Sequence, residues 1–265
     1  MNGENKTSNQ PCYFFEFGLF VTGQTEEQHL PNLFRNLMAT GICTFKIVSR
    51  IGQLSPRTSP QREIRMVGSG NIIPPKDAEK IGFPARDYLS ANPCGYVLLV
   101  DDLEQDRVRL APQVFQRYRE VLDNILLEQK SRASVHFLVN MIEAYYFADS
   151  QAVNTVLGTS LTDYPEDVET IPHPKNQLKA LHPGFDEKKD GGEILKLLRV
   201  EHVLSNPQTC ASLRTLFLWC YQVLKKYPYP EVLAQFPAEQ YRFHDGILSA
   251  ITRQQLEDGE ETPTA

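Results

Sequence analysis

Three apolar runs rich in branched residues each end in carboxylates, and this recurrence restricts the folds open to the chain. Tyr96-Val97-Leu98-Leu99-Val100 leads into Asp101-Asp102, with Glu104 and Asp106 close behind. Phe14 to Val21 is followed by Thr25-Glu26-Glu27, and Val135 to Val139 by Glu143. Runs of this length and branching read as buried strands. Carboxylates at the exit of a buried strand are costly unless they face water, meet a cation or cap the next helix. A further strand is expected over 43–48. Between the strands lie helical patterns, with Leu30, Leu33, Phe34 and Leu37 on one face and Val114, Tyr118, Val121, Leu122, Ile125 and Leu126 on another. The alternation over the first 150 residues predicts an α/β fold: a mostly parallel sheet with helices on both faces.

Beyond Asp149 the pattern is helical and strand-poor. This predicts a disordered leader over 1–11, an α/β domain over 12–150, a helical C-terminal extension over 151–255 and a disordered acidic tail over 256–265. The polar stretch 50–75 reads as a functional loop or hairpin insertion. Thr25 with Gln28 fits a capping box. Lys76 to Ala91 reads as a helix interrupted by Gly82 and Pro84.

Sites in open α/β sheets form beyond the carboxyl ends of the strands. Glu26, Asp101, Asp102 and Glu143 are all expected there. Their hard oxygens suit Mg2+ or Mn2+, an ion that activates water and steadies the charge of a phosphoryl transition state. That chemistry fits phosphodiester cleavage. Each acid also has a plainer reading: Glu26 and Glu27 complement a helix dipole, Asp101-Asp102 cap the next segment, and Glu143 opens a helix. Candidate phosphate cations are Arg107, Arg109, Arg117, Arg119, Lys175, Lys188 and Lys189. Lys189 is favoured, because Gly191-Gly192 behind it permits close backbone approach. Among the histidines, His173 is the foremost candidate.

Composition narrows the classes further. The 265 residues carry a formal net charge of −6, so no global basic signature points to nucleic acid, although basic groups can be local. The five cysteines form no C-x-x-C pair and read as free thiols in a reducing cytoplasm. No apolar run approaches the roughly 20 residues of a membrane-spanning helix, and the first residues lack an apolar signal segment. A soluble, cytoplasmic protein is expected. Neither a phosphate-binding G-x-x-x-x-G-K-[ST] loop nor a G-x-S-x-G elbow is present.

The ordered set Phe20-Val21-Thr22-Gly23-Gln24-Thr25-Glu26-Glu27, Leu99-Val100-Asp101-Asp102 and Ile142-Glu143-Ala144-Tyr145-Tyr146-Phe147-Ala148-Asp149 resembles a bacterial Toprim-like family of unknown function. Lys188-Lys189-Asp190-Gly191-Gly192-Glu193-Ile194-Leu195 is similar to a later segment of that family, as is the helix holding Leu213, Phe217 and Trp219. The resemblance spans roughly residues 13 to 225. It implies a Toprim-type sheet and kinship with the nuclease domains of overcoming-lysogenization-defect proteins, whose relatives occur in phage-defence loci beside an ATPase. It also puts a lysine near Lys189. Two positions depart from the pattern: Thr22 stands where a glutamate is usual, and Leu103 where the second Asp of Asp-x-Asp is usual. Two functions follow as expectations. One is a Mg2+-dependent nuclease of a bacterial defence or mobile-element system, with Glu26, Asp101 and Asp102 on the metal, Glu143 assisting and Lys189 on phosphate. The other is a catalytically degenerate module that binds a partner such as an ATPase.

Overall fold

Four strands, all parallel, form one sheet in the order β2-β1-β3-β4: β1 Phe15–Val21, β2 Cys43–Arg50, β3 Gly95–Leu103 and β4 Ala133–Val139. The computed structural model describes residues 11–54, 73–242 and 245–257. All four expected strands form, and the α/β reading holds. Residues 1–10 of the leader, most of the 50–75 stretch and residues 258–265 of the tail lie outside the described residues.

Seven helices carry the argument: α1 Gln24–His29, α2 Ala111–Leu126, α3 Ile142–Tyr146, α4 Pro174–Leu181, α5 Asp190–Leu197, α6 Ala211–Leu224 and α7 Ser249–Glu257. Among the described residues, none is long and apolar enough to cross a membrane.

Alternation of side chains along the strands divides the core in two. Phe17, Leu19 and Val21 of β1 and Tyr96, Leu98 and Val100 of β3 face one side. They pack there with Leu213, Phe217 and Trp219 of α6. Trp219 meets Phe17 and Tyr96 edge-on, at centroid distances of 6.3 and 6.0 Å. Phe20, Val97, Leu99, Leu103, Val135 and Phe137 face the other side, against Val114, Tyr118 and Leu122 of α2 and Ile251 of α7. The C-terminal helices thus share a continuous apolar core with the sheet.

Several local expectations change. The capping box does not form: α1 begins at Gln24 with Gly23 as its N-cap, no side chain caps it, and Thr25 lies inside the helix. Gly82 and Pro84 do not interrupt 75–91. The chain stays helical through them by one π-helical turn at Ala78–Gly82, after which the α-helix resumes at Phe83 with Pro84 in its first turn. The tail is helical through Glu257. Cys12 and Cys94 are joined in a disulfide between the starts of β1 and β3, so only Cys43, Cys210 and Cys220 are free thiols, all buried. The reading of five free cysteines missed this because residues 82 apart meet only once the two strands are neighbours.

Candidate functional site

The strand order reverses between β1 and β3. The chain leaves β1 for β2 on one side and returns to lay β3 on the other. In parallel α/β sheets the crevice at such a switch point is the usual ligand site. Glu26, in the helix after β1, and Asp101 and Asp102, at the carboxyl end of β3, all stand there.

Asp101 and Asp102 lie within β3, opposite Phe137 and Leu138 of β4, rather than beyond its end. Neighbouring residues of a strand point to opposite faces, and the two acids have different fates. Asp101 falls on the α2 side and is fully buried. Its Oδ1 accepts from the Thr22 hydroxyl (3.0 Å) and Arg107 (3.2 Å), and its Oδ2 from Arg107 (2.8 Å) and the Tyr118 hydroxyl (2.9 Å). The Thr22 hydroxyl in turn accepts from the Asp102 backbone N–H (3.2 Å). Thr22 therefore serves as a link between β1 and β3.

Asp102 falls on the other side, partly buried. Its Oδ1 accepts from the Ile142 N–H at the start of α3 (2.8 Å). Burial, then Glu26 and Glu143, hold its carboxyl well above the usual carboxylate range. Glu143, in the first turn of α3, is 3% exposed. Burial pushes its pKa up to about 7, against an opposing pull from Lys175. Glu26 is also 3% exposed and raised, first by burial and further by Asp101, with Lys175 again opposing. One oxygen of each glutamate, Oε2, is buried with no hydrogen-bond partner. Gly23 lets Glu26 curl back over its own turn: a Cβ there would lie 1.8 Å from Glu26 Oε2.

The cation acting on these acids is Lys175, in the first turn of α4. Burial draws its pKa down, but Glu187, Glu143 and Asp102 outweigh this and leave it raised. Its Nζ pairs with Glu187 at 2.9 Å. Lys189 is exposed at the N-cap of α5, where its backbone N–H donates to Asp186. Gly191 and Gly192 serve packing: the Tyr146 hydroxyl donates to Gly191 O (3.2 Å), and a Cβ on Gly192 would meet the His29 ring at 2.5 Å. Arg107 is committed to Asp101, Arg117 to Asp77 (2.8 Å) and Arg119 to Asp123 (2.5 Å).

Sequence reasoning missed the turn between β4 and α3. Asn140 (φ 56°) and Met141 (φ 73°) both have left-handed backbones, which side chains other than glycine seldom adopt. Beneath the turn, the Asn140 Nδ2 donates to Glu169 O (2.6 Å). The fully buried Glu169 carboxylate accepts through Oε1 from the Tyr145 hydroxyl (2.9 Å) and the Ser212 N–H (2.9 Å). Burial, and then Asp167, push Glu169 up to about 7.

Among the described residues, no three His, Cys, Asp or Glu side chains form an assembled group able to hold a metal ion. What fold and site define is an α/β protein with an all-parallel sheet and an acidic crevice at its switch point. Compared with protein-family models, curated proteins and solved structures, the chain matches none.

Proposed function

We propose that this chain is a divalent-cation-dependent phosphodiesterase acting on nucleic acid. The observation that carries the reading is the pair of buried, unpartnered carboxylate oxygens on Glu26 and Glu143, beside Asp102 at the switch point. Glu26 and Glu143 raise the pKa of Asp102, and Glu26 raises that of Glu143, so the group calls for a cation, and Lys175 supplies a single charge. Carboxylate oxygens are the donors that Mg2+ or Mn2+ prefers, so Glu26, Asp102 and Glu143 suit such an ion chemically. When bound, the ion would activate water and offset charge on the phosphoryl group. Lys175 would hold a phosphate oxygen at the mouth of the cluster. Asp101 would act as an anchor that fixes the tip of β3 through Thr22, Arg107 and Tyr118. Lys189 is left for phosphates farther along a bound strand. A bacterial defence or mobile-element setting belongs to the same reading, through the sequence resemblance.

A second reading draws on the commitment of Asp101 to Thr22 and Arg107. It is a catalytically degenerate module that binds a partner such as an ATPase. Incubation of the purified chain with single- and double-stranded DNA and with RNA, including tRNA, in Mg2+ or Mn2+ separates the two. The first expects cleavage that Asp102→Asn and Glu143→Gln abolish without lowering Tm. Cleavage that survives both substitutions contradicts it, and a lack of cleavage on every substrate favours the second.

A further inference from the structure

At the amino end of the sheet, opposite the acid crevice, aromatic rings and cations gather from separate parts of the chain. Tyr13 precedes β1, Tyr96 stands at the start of β3, Arg132 precedes β4, and Lys225 to Tyr229 follow α6. Together they form one continuous run. Arg132 and Lys226 both stand over the Tyr96 ring, with Cζ and Nζ 5.9 and 5.6 Å from its centroid. Tyr227 follows Lys226 and meets Tyr229 at a centroid distance of 5.7 Å, and Tyr229 meets Tyr13 at 6.0 Å. Tyr96 is buried, but Tyr13 is 56% exposed and Tyr229 48%. Large exposed rings grouped in this way mark interaction sites.

The charges decide what the rings meet. Arg132 is half-buried, and its guanidinium donates to the Asn92 and Gly95 carbonyls (2.6 and 2.7 Å) and to the Gln129 side chain (3.3 Å). Among the described residues no carboxylate pairs with it, and burial draws its pKa down with only Tyr96 and Tyr88 opposing. A half-buried cation without an anion carries a cost that an anionic ligand offsets. Lys225 and Lys226 are exposed beside it. The acid of the segment after α6 is Glu231, Lys130 and Glu128 before Arg132 offset each other, and Glu16 of β1 is paired with Lys46 (2.8 Å). In a chain of net charge −6, this end of the sheet therefore holds more cations than acids.

We propose that this surface is a stacking platform that holds single-stranded nucleic acid away from the crevice. Bases stack on Tyr13 and Tyr229, and phosphates lie against Lys225, Lys226 and Arg132. Every base has a π-face, so the platform tolerates any sequence. The paired bases of a duplex cannot reach the rings. The nine residues of β3 span roughly 30 Å, well beyond the roughly 10 Å over which charges act at 0.1 M salt. The crevice acids therefore do not repel a strand held here. The choice of nucleic acid as partner rests on the reading above, to which the platform adds a preference for single strands and a second point of attachment.

Fluorescence anisotropy with a labelled single strand of about twelve nucleotides, in EDTA to prevent cleavage, tests this. The wild type is expected to bind it, and to bind the matching duplex at least about tenfold more weakly. Tyr13→Ala and Tyr229→Ala should each weaken single-strand binding about tenfold, the worth of one stacked base, with Tm unchanged. Tyr229→Phe keeps the ring and should keep the affinity. Lys225→Gln should lower the slope of log affinity against log salt by about 0.7, the share of one phosphate contact on a single strand. No binding, binding indifferent to both alanine substitutions, or a duplex held as tightly as the single strand overturns the platform. Self-association that Tyr229→Ala abolishes, without strand binding, also overturns it and assigns the rings to a second copy of the chain. A cleavage assay in Mg2+ and a Mn2+ titration on the same preparations separate the failures. Cleavage together with ring-indifferent strand binding sinks the platform alone. Ring-dependent strand binding, with neither Mn2+ binding nor cleavage, sinks the phosphodiesterase reading alone.

Discussion

The two faces of the tip of β3 treat their acids in opposite ways. On the α2 side, Asp101 is fully buried and each of its oxygens has two partners. On the other side, Asp102 has one backbone donor, and Glu26 and Glu143 each keep a buried oxygen with none. A buried acid with its bonds satisfied holds a fold together. Buried acids left short of partners cost stability, and a ligand is the natural way to recover it. The comparison therefore assigns stability to one face and chemistry to the other, and substitutions on the two faces should act with opposite signs.

The largest effect is expected from Asp101→Ala, which strands Arg107, Tyr118 and Thr22 in the core. Removing one partner of a buried ion pair costs about 3–5 kcal/mol, a loss that urea denaturation will register; a change below about 1 kcal/mol would break the comparison.

Glu169 is intermediate, with one oxygen partnered and the other not. Its folded pKa, about 7, lies above its ordinary 4.5. Between those values the folded state holds the extra proton, so its contribution to stability is fully present below pH 4.5 and is lost as pH rises through 7. The loss is about 3 kcal/mol. Glu169→Gln should remove that part of the decline, seen as a flatter dependence of Tm on pH between 4.5 and 7. An unchanged slope would assign the pH dependence elsewhere.

Tyr118→Phe removes one of the four bonds to Asp101 and should cost about 2 kcal/mol by the same denaturation, as hydrogen bonds to charged groups do. Gly23→Ala should have the smallest effect on stability, about 1 kcal/mol, because the atoms nearest the new Cβ belong to the Glu26 carboxyl group rather than to backbone. It should still displace that carboxylate and weaken Mn2+ binding. A loss of Tm with metal binding intact would reverse the assignment of Glu26.

Much of this frame is legible in the chain. Tyr96 to Val100 and Val135 to Val139 announce strands by length and branching, and the acids after them mark the crevice. The split between Asp101 and Asp102 follows from strand alternation only once β3 is known to continue through Leu103. An acid pair reads locally as a strand end, because two of the three partners that let Asp101 stay buried lie 79 residues away at Thr22 and 17 away at Tyr118, and only Arg107 is near in sequence. Lys175 reaches the acids from a helix whose position is set by long-range packing, so its signal, a lysine just after the Pro174 that opens α4, resembles any helix start. Gly191-Gly192 misled in the same way: close approach is needed, and the approaching groups are His29 and Tyr146. The left-handed Asn140-Met141 turn carries no glycine to reveal it.

Isothermal titration with Mn2+ tests the division of the two faces most directly. The wild type is expected to bind one ion, Asp102→Asn and Glu143→Gln to lose it while keeping or raising Tm, and Tyr118→Phe to retain it at lower Tm. Absence of Mn2+ binding by the folded wild type, or binding that survives both Asp102→Asn and Glu143→Gln, would contradict the account.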